Sequence, residues 1–63
     1  MDKLAHLLKH WQDHNEEHVA NYRTWADRAA GAGEVEVADL LREAADITGQ
    51  VTALFAKALK GLK

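Results

Sequence analysis

Hydrophobic residues recur along the first half of the chain at alternating steps of four and three. Leu4, Leu8, Trp11, Asn15, His18, Tyr22, Trp25 and Ala29 fall on one heptad seam, with two polar members, Asn15 and His18, in its middle. The second half offers Val37, Leu40, Leu41, Ala44, Ile47, Thr48, Val51, Leu54, Phe55, Ala58, Leu59 and Leu62. At about 100° per residue these cover an arc of roughly 140°, against roughly 100° for the first half. The strongest punctuation between them is "AAGAG", residues 29–33, where Gly31 suits a left-handed helix cap. The pattern predicts an all-α fold: a helix over about 2–30, a turn at 31–33 and a helix over about 34–61, paired as an antiparallel hairpin in a single domain, 1–63. Asp2 is placed to cap the first helix, and Glu34 and Glu36 suit the positive end of the second.

The wide apolar arc of the second helix changes this picture. One hairpin partner cannot cover it, and the simplest cover is a second chain, giving a homodimeric four-helix bundle. Size points the same way. A 63-residue chain buries a small fraction of its surface and needs a staple: a disulfide, a metal or a partner subunit. There is no cysteine, which removes disulfides and thiolate zinc sites and fits a reducing cytoplasm. Proline is absent too, as long uninterrupted helices require. Gly49 stands inside the second helix, either a weak point costing about 1 kcal/mol relative to alanine, or a close helix contact, or room left for a bulky neighbour such as Trp11 across the hairpin.

The net charge of −2 becomes −2 + 4 = +2 if all four histidines are charged. This is not the strongly basic footprint of a nucleic-acid binder. No apolar run approaches the roughly 18 residues of a membrane span, and no signal-peptide pattern is present, so the expected location is cytoplasmic with no membrane partner.

All four histidines lie on the first helix, His6, His10, His14 and His18, at an unbroken spacing of four. Neighbours at i and i+4 stack on a helix, each displaced by about 40°, so adjacent pairs can hold one ion between two imidazole nitrogens. The stripe runs from the flank at His6 to the seam at His18. The expected metal site is His14 and His18, with His10 and Glu17 as auxiliaries, for a nickel, cobalt or zinc ion. A symmetry-related chain would supply His14 and His18 twice, and Thr48 and Gln50 on the facing helix could fix ring orientation. Plainer readings stand beside this one. His6 and His10 are solvated helix residues, and His18 is a buried core histidine whose protonation would loosen its layer. Asn15 fixes pairing register, and Trp11, Tyr22 and Trp25 are core. Catalysis is not expected: serine and cysteine are absent, and in "HNEEH" Asn15 stands where a zincin motif carries its glutamate base.

The stretch "LLKHWQDHNEEHVANYRTWADRA" resembles a small helical domain of undefined function in short bacterial and archaeal proteins. Their shared features are a Leu-rich start, His-Asn-x-x-His, and a second amphipathic helix after a glycine-containing turn. Leu7 and Leu8, then His14, Asn15 and His18, then "GAGEVEVADLLREAADI" occupy those places here. The resemblance implies a loose association with nickel or cobalt handling and treats His14, Asn15 and His18 as one unit. The family's His-rich tail is missing from this sequence. The leading expectation is a small transition-metal-binding protein using the histidine stripe; the competing one is a non-catalytic dimerisation or protein-interaction module. In the second, an Asn/His layer sets pairing with its own kind or with an unidentified protein.

Overall fold

The computed structural model describes residues 1–63. It contains two α-helices, α1 over Asp2–Gly31 and α2 over Val35–Gly61, which pack against each other as an antiparallel hairpin. The molecule is a rod of 49 × 14 × 10 Å. Its radius of gyration, 14.5 Å, exceeds the roughly 11 Å of a compact domain of this length. Neither helix is long and apolar enough to cross a membrane.

The turn corrects the expected cap. Gly31 stays helical, and the left-handed residue is Gly33, with φ +84°. The Glu34 N–H donates to the Ala29 carbonyl at 2.8 Å and the Gly33 N–H to the Ala30 carbonyl at 3.0 Å. This is the paired bonding of a Schellman motif, which satisfies carbonyls that the helix end would leave open. A Cβ at Gly33 would meet nothing within 4 Å, so the objection to a side chain there is conformational. Gly33→Ala is expected to destabilise the hairpin by about 1–2 kcal/mol. Gly49 is the opposite case. It is helical, exposed and surrounded by open space, so Trp11 does not need the room. Gly49→Ala should raise stability by about 1 kcal/mol, and thermal melting followed by circular dichroism would register both shifts. Asp2 makes no capping hydrogen bond; it lies inside the first turn, where its charge favours the helix dipole.

The inner seam of α1 runs one residue away from the expected one at alternate positions. Ala5, Leu8, Gln12, Asn15, Val19, Tyr22, Ala26 and Ala29 are the half-buried or buried residues facing α2. Leu8, Asn15, Tyr22 and Ala29 were expected there. Trp11, His18 and Trp25 give way to Gln12, Val19 and Ala26. On α2 the facing seam is Ala38, Leu41, Ala45, Thr48, Thr52, Phe55, Leu59 and Leu62. The physical reason is size. Ala26, Ala38 and Ala45 have no exposed surface at all, so the helices approach closely near the turn and the indoles are displaced to the edge. Trp25 is 57% exposed, with the Arg28 guanidinium 4.7 Å from its ring. Polar seam members are only partly satisfied. The Thr52 hydroxyl donates to the Thr48 carbonyl at 2.9 Å, whereas the Gln12 amide nitrogen is buried without a partner.

Charged pairs lace one side of the rod. Arg23 reaches Asp46 at 2.9 Å, and Arg42 bridges Asp27 at 3.3 Å and Asp39 at 3.7 Å. All these side chains are substantially exposed, so each pair contributes at most about 1 kcal/mol. What they define is which side of the hairpin stays wet.

Candidate functional site

The other side of the rod is apolar and unpartnered. On α2 a second heptad series, Val37, Leu40, Ala44, Ile47, Val51, Leu54 and Ala58, runs beside the inner seam at the same alternating steps of three and four. Most of it is open: Leu40 is 65% exposed and Ile47 52%. On α1 the matching line is Leu7, Trp11, His14, His18, Asn21 and Trp25, with one exposed asparagine among its members. The two lines share a face because Trp11, His14, Asn15 and His18 of α1 and Val51 and Phe55 of α2 together line one open cleft of about 450 Å³. Trp11 and Phe55 form its wall, ring centroids 5.5 Å apart and tilted by 47°.

The histidines enter this face along a stack. His10 meets His14 edge-on at 5.9 Å, His14 lies over His18 at 4.5 Å with planes 25° apart, and His18 continues onto Tyr22 at 5.8 Å. His6, His10 and Glu17 are exposed on the flank, and neither His10 nor Glu17 lines the cleft. His14 stands exposed at the rim, and His18 is half-buried rather than a core residue, because Val19 has taken the inner position. Asn15 is half-buried and lines the cleft. Gln50 is exposed, and the α2 neighbours of the histidine pair are Val51 and Phe55 instead of the expected Thr48 and Gln50. Within one chain no three histidine, aspartate or glutamate side chains converge to hold a metal ion.

Val51 and Phe55 belong to the apolar arc of α2 that periodicity predicts, and periodicity alone does not bring them to the histidines. Folding the chain about residue 33 sets Trp11 level with Phe55 and positions 14–18 level with 48–52; which residues of that span face the histidines is set by the rotation of the helices.

These features define a class: a small two-helix hairpin with one ionic face and one open apolar face that carries a histidine pair halfway along. Residues 4–62 match the family model described as a domain of unknown function, DUF8180, and the chain belongs to that family. It is also similar to an uncharacterized protein of Archaeoglobus fulgidus, 36% identical over 59 residues that cover 94% of either chain. The expected likeness to a small domain of undefined function therefore holds. No solved structure matches the chain.

Proposed function

We propose that the chain is a non-catalytic homodimerisation module, in which two hairpins pair through their apolar faces into a four-helix bundle. One observation carries this reading: α2 has two adjacent heptad seams, and α1 covers only one. A free surface has no reason to repeat leucine, isoleucine and valine at heptad spacing, whereas a bundle interface requires it. The size is suitable. A face 49 Å long and 14 Å across offers on the order of 700 Å² per copy, close to the roughly 800 Å² per partner of stable complexes. The hairpin also needs the cover. Only Leu8, Ala26, Ala38 and Ala45 are buried within one chain, and a core of one leucine and three alanines supplies little stability. Sedimentation equilibrium is the test: the expected species is a dimer, and a monomer throughout the micromolar range would refute the reading.

Transition-metal binding, with the nickel or cobalt association that the sequence resemblance implies, is a second reading favoured by the His14–His18 stack. With only two imidazoles at hand in one chain, and His10 and Glu17 on the flank, the remaining donors would have to come from elsewhere.

A further inference from the structure

We infer that His14 and His18 of two paired chains form a single four-imidazole site for a tetrahedral divalent ion, zinc or cobalt(II). This rests on the pairing reading above and adds a ligand to it.

The inference starts from where the pair sits along the rod. α1 spans residues 2–31 and α2 spans 35–61, so the layer containing His14, His18 and Val51 lies about halfway between the turn and the open end. Two identical faces that close on each other are related by a two-fold axis lying in the plane between them. That axis either runs along the rod or crosses it. Along the rod, every layer stays at its own height. Across the rod, heights invert about the middle. The halfway layer meets its own copy in both cases, but with the axis along the rod α1 faces the partner's α2, so the two histidine pairs face each other only when the axis crosses the rod. Crossing the rod near residue 16 sets α1 against α1, with His14 of one copy facing His18 of the other. The same operation brings Leu7 of one copy near Trp25 of the other, Trp11 near Asn21, and Val51 onto the second Val51.

Chemistry then selects the ligand. Two histidines at i and i+4 on one helix face are a recurrent half of a zinc site. Here the rings already lie 4.5 Å apart within one chain, and rotation about the side-chain bonds turns their nitrogens toward one point. Two such halves give four neutral nitrogen donors, which suits tetrahedral zinc or cobalt(II). Nickel and copper favour tetragonal geometry. Trp11, Val51 and Phe55 wall the cleft with apolar surface and would limit water at the ion.

The experiment titrates metal-stripped full-length protein with zinc chloride by calorimetry and with cobalt(II) by visible absorption, alongside sedimentation equilibrium. The expected result is one ion per two chains, with the intense absorption of tetrahedral cobalt(II). Binding should be lost in His14→Ala and in His18→Ala, and retained in a His6→Ala/His10→Ala double variant. A dimer that binds neither ion overturns the site and leaves pairing intact. Binding at one ion per chain, or binding that disappears with His6 and His10 instead, also overturns it. A protein that is monomeric with and without metal overturns the pairing reading and the site with it.

Discussion

Replacing Ile47 by glutamate is expected to turn the paired hairpin into monomers while leaving each hairpin folded. Ile47 lies in the second heptad series of α2, and 52% of its surface is open in the single chain. A carboxylate there stays hydrated in the monomer and does not disturb the α1–α2 seam. In the pair the same position lies in the interface, so two carboxylates would have to give up water without partners. The effective penalty for an unpaired buried charge is several kcal/mol. Even about 4 kcal/mol over both copies weakens association roughly a thousandfold. Val35→Glu is the matched control. Val35 is 60% exposed and lies outside both heptad series, so the same change of charge there should leave association as it was. Sedimentation equilibrium on both variants at parent concentrations, with helix content from circular dichroism, separates dissociation from unfolding. An Ile47→Glu protein that dimerises as tightly as its parent would leave the apolar face without the role proposed for it.

The contrast between Ile47 and Val35 also shows what the sequence could and could not reveal. Both helices and the hairpin were legible because the signals were long and consistent: no proline, heptad spacing through about thirty residues, and one glycine-rich break. The excess width of the α2 arc was legible too, and it is the same feature that appears in the structure as a second, open seam. What periodicity could not settle was rotation. Trp11 and Gln12, or Trp25 and Ala26, are neighbours about 100° apart on a helix, and either phase yields a plausible seam. Ranking positions by apolar size favours the tryptophans. Near the turn the inner seam goes to Ala26, Ala38 and Ala45, which let the helices approach closely, and in that phase Gln12 and Val19 take the inner places next to Trp11 and His18. The rotation also resets the histidines. With Val19 inside, His18 moves from core to cleft edge, and His14 comes to the rim beside it. The stripe was visible in the sequence; which of its members share a surface with α2 depended on a phase that only tertiary packing fixes. Gly33 is a similar case, since the cap position depends on where the last helical hydrogen bond forms, two residues beyond the first glycine.

The phase of α1 can itself be measured through two adjacent leucines. Leu8 is the one large side chain buried inside a single hairpin, 5% exposed. Leu7, its neighbour, is 37% exposed on the open face. Leu8→Ala removes buried methyl and methylene groups from a seam that backbone contacts hold in place, and should cost about 2–3 kcal/mol. Chains this short rarely draw more than about 3–5 kcal/mol from a single core, so that loss consumes most of the hairpin's own stability. At 4–8 °C per kcal/mol for domains of this size, the melting temperature should fall by roughly 10–20 °C. Leu7→Ala should behave differently, because 37% of its surface stays open in one chain and is left for a second copy to cover. Its cost should be the smaller of the two in dilute solution, about 1–2 kcal/mol. It should grow at concentrations where pairing dominates, because stability gained by association follows mass action. Thermal melts of both variants across a hundredfold range of concentration give the comparison. If Leu7→Ala were the more damaging of the two in dilute solution, α1 would have to be rotated back toward the Trp11–Trp25 phase, and the open face of the hairpin would be a different set of residues.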